Sequence, residues 1–163
     1  MKKDILFKTD DFIFSYRVAG ILIYNDKILL QKPLKDEGYS LIGGHVAIQE
    51  TTEETLIREF KEEIHADINI VSLFAIGEIF FTWGKKPCHQ ISLYYKIQLS
   101  NLDSIPIDRN FQGYDEVGNK RIDMDFCWIP LEKLKKIKVY PKELISYVLE
   151  DKNEVIHFIS NDR

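Results

Sequence analysis

Residues 44–66, GHVAIQETTEETLIREFKEEIHA, carry the pattern from which the rest of the chain can be read. From Thr51 to His65 the periodicity is helical: Leu56, Ile57, Phe60 and Ile64 fall within about 100° of one another on a 3.6-residue wheel. Thr51 or Thr52, with Glu54 close behind, supplies start signals for that helix. Glu59, Glu62 and Glu63 occupy a second sector of about 100° outside the apolar stripe. Three carboxylates so close repel one another, and each like-charged pair weakens an isolated helix by a few tenths of a kcal/mol. A divalent cation removes that penalty, and hard oxygen donors suit Mg²⁺, which commonly bridges carboxylates to substrate phosphates. Taken alone, however, a Glu-rich helix face is most often plain solvated surface.

Outward from this helix the chain reads mostly as strands. Phe12–Val18 is rich in aromatic and branched residues, and Ala19–Tyr24 and Lys27–Gln31 flank Asn25-Asp26, a pair suited to a tight hairpin turn. A polar loop from Pro33 to Tyr39 leads into Ser40-Leu41-Ile42-Gly43-Gly44. Past the helix, Ala66–Gly77, Glu78–Trp83 and Gln90–Leu99 read as strands, with Gly84-Lys85-Lys86-Pro87 as a loop. Asn101–Asn119 is polar and irregular and is expected to be a lid or substrate loop. Phe126–Ile129 reads as a short strand, Pro130–Leu134 as a helical turn, and Pro141–Leu149 as a second helix with Pro in its first turn. Strands with two helices give an α+β domain, expected to span residues 1–163 as one unit because no repeat or Pro/Gly/Ser linker interrupts it.

Composition limits the function further. With 45% apolar and 29% charged residues the chain is globular, and its net charge of −4 does not favour polyanions. The tightest basic cluster is Lys133, Lys135, Lys136 and Lys138, so a nucleic-acid partner is not expected. No stretch approaches the roughly 18 apolar residues of a membrane span, and no secretory signal pattern opens the chain. Cys88 and Cys127 lie far apart without a CxxC partner. Two reduced thiols in a cytoplasmic protein are therefore expected.

The wider spacing gives the acidic helix its meaning. Gly44, Glu50, Arg58, Glu59, Phe60, Glu62 and Glu63 stand at the positions of G-x5-E-x7-R-E-U-x-E-E, where U is bulky and apolar, and this resembles the Nudix box. The likeness extends over roughly Arg17–Leu134: Arg17–Ile23, Ile28–Lys32 and Tyr39–Gly44 look like the strands that lead into such a box. Trp128–Leu134 looks like the late strand-to-helix segment of that family. The resemblance implies an α/β/α sandwich with a mixed sheet and hydrolysis of a diphosphate linkage in a nucleoside diphosphate joined to another group.

It also implies roles. Glu59, Glu62 and Glu63 would hold Mg²⁺ or Mn²⁺, aided by a backbone carbonyl near Gly43 or Gly44, and Gly44 would stand where a Cβ obstructs the metal or the turn. Arg58 would pair with Glu50 and orient Glu59, although Glu54 at i,i+4 is a competing partner. Glu62, or an acid outside the box, would take the proton of the attacking water; Glu116 is favoured over Asp115, Asp123 and Asp125 for that outside acid. Phe81, Trp83, Tyr114 and Phe111 are candidates to stack on a base, and Arg17, Lys32 and Arg109 to meet phosphates.

Two positions depart from the pattern. His65-Ala66 replaces the usual Gly-U, so the helix must end without glycine's access to left-handed backbone, and Ile42 stands where Pro is frequent. ADP-ribose, a nucleotide sugar, an oxidised nucleoside triphosphate, a dinucleoside polyphosphate and capped RNA all suit the same box, and dimers are common among its bearers. A prenyl-diphosphate isomerase on the same fold would want a catalytic cysteine in a recognisable motif, and a non-catalytic sensing module would be expected to lack box carboxylates.

Overall fold

The computed structural model describes residues 2–117 and 119–163. Among them, strands β1 (Leu6–Lys8), β2 (Ile13–Tyr24), β3 (Lys27–Pro33), β4 (Tyr39–Ser40) and β5 (Ile42–His45) precede helix α1 (Thr52–Ile64). Then come β6 (Ile68–Trp83), β7 (Lys86–Leu99), β8 (Phe111–Val117), β9 (Lys120–Pro130), a 3₁₀ turn (Leu131–Lys136), β10 (Val139–Tyr140), α2 (Lys142–Glu150) and β11 (Ile156–Asn161). The strands form one mixed sheet, parallel where β2 meets β7, β6 meets β11 and β4 meets β10, and antiparallel elsewhere.

Strand β2 organises the layers. Its alternation sends Val18 and Leu22 into the core beneath α1 with Leu56, Phe60 and Ile64. Ala19 and Ile21 enter the opposite core, beneath α2, with Leu144, Ile145 and Val148. Each apolar stripe is thereby buried on a different sheet face, which gives the expected α/β/α sandwich. Gly20 lets α1 lie close, because a Cβ there would stand 2.9 Å from the Phe60 ring. Asn25 and Asp26 both take positive φ, the geometry of the tight turn that their sequence indicates.

Several elements differ from the sequence reading, among them β7, which begins at Lys86 within the expected loop. Ile68–Trp83 form one strand, β6, whose register against β7 shifts near Val71 and Phe74, so that apolar periodicity breaks without a turn. The expected lid is half strand: from Phe111 onward the chain pairs with β9, which itself extends from Lys120 rather than from Phe126. Phe111 packs on Phe126 with ring centroids 5.1 Å apart, while Gln112 and Tyr114 face solvent; one buried face leaves a strand looking polar in sequence. Strand β11, unread in the sequence, adds a parallel edge to β6. Ile57, placed on the apolar stripe, is 42% exposed; Leu56, Phe60 and Ile64 suffice to bury the helix.

Candidate active site

The box folds around the start of α1. Thr51 caps the helix: its Oγ1 accepts from the Glu54 backbone N–H, and Glu54 Oε2 accepts from the Thr51 N–H. This capping box engages Glu54 and leaves Arg58 to Glu50. Arg58 Nε and Nη2 both donate to Glu50 Oε2, at 3.2 and 3.1 Å, and Thr55 Oγ1 adds a third donor at 2.9 Å. Lys2 also pairs with Glu50. The Lys2 hydrogen bond, with those of Arg58 and Thr55, holds the Glu50 carboxyl down to about 2.

Anchored in this way, Arg58 turns its remaining nitrogen toward the acids. Nη1 donates to Glu59 Oε1 at 2.7 Å and to Glu62 Oε2 at 3.1 Å. Glu59 lies back over β5, and a Cβ on Gly44 would overlap its carboxylate. Glycine at 44 is thus required by the close approach of the Glu59 side chain to the backbone. Glu63 is half-buried beside Glu59, and Asp115 of β8 lies near enough to repel it. Burial first, then repulsion by Glu59 and Asp115, pushes the Glu63 carboxyl up to about 9. Burial also raises that of Glu59, against the attraction of Arg58. Glu62 is the exposed member, with 61% of its side chain accessible.

These acids open into a cleft of about 980 Å³, lined by Glu59, Glu62 and Glu63 from α1 and by residues of β8 and β9, including Asp115 and Asp123. The hairpin lies against the end of the helix, and Gly113 leaves room for the Phe126 ring, 2.9 Å from where a Cβ would stand. His65 ends α1 in the left-handed region at φ 57°, ψ 27°, which is the conformation that glycine would supply at that position. The helix exit, and with it the alignment of Glu62 and Glu63, is therefore preserved.

A model of the NUDIX domain matches residues 15–148. The chain belongs to the NUDIX domain family. Among solved structures, this Nudix domain is similar to the mutator MutT protein from Bacillus halodurans, at 15% identity and TM-score 0.62 over 89% of each chain. It is similar to a Nudix hydrolase from Nitrosomonas europaea, at 16% identity and TM-score 0.58, over 94% of this chain and 82% of that one. It also resembles an ADP-ribose pyrophosphatase from Streptococcus suis, at 13% identity and TM-score 0.55, over 90% and 98%. At these identities the structures attest the fold.

The remaining sequence candidates separate in space. Arg17 donates to the Gly43 carbonyl at 3.4 Å and lines a second pocket, of about 360 Å³, on the α2 side of the sheet. Phe81 lines the same pocket, with Tyr94 and Tyr140. Trp83 is already engaged by Lys8, whose Nζ lies 4.6 Å from its ring centroid, and by the His45 ring at 6.4 Å. Lys32 lies over Tyr39, outside the lining of both cavities. Glu116 follows Asp115 on β8, pairs in register with Arg121, and is exposed at the cleft wall, whereas Asp115 is the acid set against Glu63. Cys88 and Cys127 are free and buried and line neither cavity.

Sequence reasoning missed the polar floor of the α2-side pocket: Gln90, Ser92 and Ser160, with Ser92 and Ser160 buried. The alternation Gln90-Ile91-Ser92-Leu93-Tyr94 carries the signal, since it puts polar groups on a face that is apolar elsewhere. Ser160 comes from β11 and had no such flag. The described residues contain no helix long and apolar enough to cross a membrane.

Proposed function

We propose that this Nudix pyrophosphohydrolase cleaves the diphosphate linkage of a nucleoside diphosphate joined to another moiety, with Mg²⁺ or Mn²⁺ held by Glu59, Glu62 and Glu63. The observation that carries this reading is the pair of half-buried carboxylates, Glu59 and Glu63, set together beside a backbone left clear by Gly44, with Asp115 acting on Glu63. Such a set is stabilised by added positive charge, and its hard oxygen donors suit these ions. Among the described residues no three acidic, His or Cys side chains already stand in ligating positions. Arg58 Nη1 sits between Glu59 and Glu62, and both must turn from it to converge with Glu63. When bound, the cation polarises phosphoryl oxygens and offsets the charge of the diphosphate.

The protein's own groups supply the rest. Glu50 fixes Arg58, and Arg58 holds the Glu59 carboxylate at the site from which it turns to the cation, so both act by positioning. The Gly43 carbonyl, beside Arg17, offers a further oxygen donor, while the Arg17 guanidinium meets a phosphate entering between the two cavities. Water attacks one phosphorus, and the bond from that phosphorus to the bridging oxygen breaks. The proton of the water goes to Glu62, the most exposed of the three box carboxylates that line the cleft, with Asp115 as the acid contributed from outside the box. Phe81 and Tyr140 offer aromatic surface to the base or sugar of the substrate.

A screen of nucleoside diphosphate-X compounds with Mg²⁺ or Mn²⁺, run beside Glu62→Gln, tests the reading. Turnover of at least one compound, lost in the variant, is expected. Full turnover by Glu62→Gln contradicts the role given to that residue, and no turnover by the unmutated chain favours a binding module.

A further inference from the structure

The pocket that holds Arg17 does not end at its far wall. Tyr140 and Asp162 form that wall, and both also line a neighbouring groove of about 510 Å³. Around that groove stand Lys135, Lys138 and Lys142, over a floor that includes Leu134 and Ile145. Lys138 carries its Nζ over the Tyr140 ring, 5.2 Å from the centroid, and Lys142 Nζ lies 3.9 Å from Asp162 Oδ1. Asp36 and Glu37 also act on Lys138, from outside the groove lining. In a chain of net charge −4, this collection of ammonium groups runs against the field of the whole molecule.

A lysine cluster alone is an ordinary solvated surface. Here its position gives it direction, because a pocket of about 360 Å³ joins it to Arg17 and the Gly43 carbonyl. That volume is near the lower end of ligand pockets, which run from roughly 300 to 1,000 Å³, and it suits one group of nucleoside size. A group seated there, with its diphosphate at Arg17, has its far side directed at the lysines.

We propose that the groove of Lys135, Lys138 and Lys142 receives a further phosphate carried by the moiety in the pocket. The substrate is then a diphosphate whose nucleoside or attached group is itself phosphorylated. Lysine suits this task as a point charge that needs no fixed hydrogen-bond geometry. The inference rests on the hydrolase reading above and narrows its substrate class.

Two pairs of compounds that differ by one phosphate test it: ADP-ribose against its 2′-phosphorylated form, and dephospho-coenzyme A against coenzyme A. With Mg²⁺ at low salt, the phosphorylated member of at least one pair is expected to have a kcat/KM roughly tenfold higher, mainly through KM. The advantage should shrink as salt is raised. It should vanish in Lys138→Ala/Lys142→Ala, with turnover of the unphosphorylated member unchanged, and survive in Lys138→Arg/Lys142→Arg. Equal turnover within both pairs, or a preference indifferent to the lysines, overturns the proposal. Absence of turnover for all four while another nucleoside diphosphate-X compound is cleaved also overturns it, and absence of turnover throughout that wider screen contradicts the hydrolase reading. Calorimetry with adenosine 2′,5′-bisphosphate against AMP then decides the groove: tighter, lysine-dependent binding of the bisphosphate supports it, and equal binding overturns it.

Discussion

Helix α1 and the β8–β9 hairpin face each other across one cleft, yet they bring their acids there by different means. On α1 the arrangement is local: Glu59, Glu62 and Glu63 are set by helical spacing, and Glu50 and Arg58 lock the first of them in place. On the hairpin it is nonlocal: Asp115 comes near Glu63 only because β8 pairs with β9, β9 with β3, and Gly113 admits the Phe126 ring between the strands and the helix. Helical spacing thus brings the α1 acids within reach of one another, though Glu59 and Glu62 still turn from Arg58 to converge, whereas Asp115 owes its place to strand pairing alone.

Substitutions that neutralise one side at a time are the sharpest way to break this comparison. Glu59→Gln or Glu63→Gln should lower kcat/KM by roughly 10²-fold or more, above the usual cost of losing an outer-shell partner of a metal site. Asp115→Asn should cost about tenfold and Glu116→Gln less than about twofold, measured on the same compound. Equal losses from Glu63 and Glu116 variants would erase the distinction. A smaller effect on activity is expected where the scaffold alone is disturbed. Gly44→Ala sets a Cβ against the Glu59 carboxylate and should destabilise the protein by about 1–3 kcal/mol, with reduced turnover. Urea unfolding reads the first effect and steady-state kinetics the second. The smallest effect belongs to the helix exit: His65→Gly relieves a left-handed non-glycine residue and should add about 1 kcal/mol of stability with activity retained. Lost activity in that variant would give the imidazole a role beyond capping.

The same contrast explains what could be read from the sequence. The box was readable because its chemistry follows a helical period, and even its departure at His65 turned out to keep the backbone that glycine would provide. Asp115 was not, because in a strand a shift of one residue reverses the face, and nothing local separates Asp115 from Glu116. Residues 111–116 looked like a loop since only their inner face meets the core. Arg17 and Phe81 were found as candidates by residue type, but their meeting in one pocket depends on β2, β6 and β7 lying side by side. Trp83 and Lys32 had the same credentials, and their neighbours, Lys8 and Tyr39, are what set them apart.

The half-buried carboxylates Glu59 and Glu63 repel one another when both are charged, and thermal melting against pH tests that most directly. Glu63 has a folded pKa raised to about 9 from 4.5, so its protonated form is favoured by folding. The stability linked to it is fully present below pH 4.5 and is lost as pH rises from there through about 9. In chelator, the melting temperature of the unmutated chain should therefore fall across that range more steeply than that of Glu63→Gln, and Mg²⁺ should restore it only in the unmutated chain. Parallel curves for the two proteins in chelator, with no response of either to Mg²⁺ or Mn²⁺, would contradict the account.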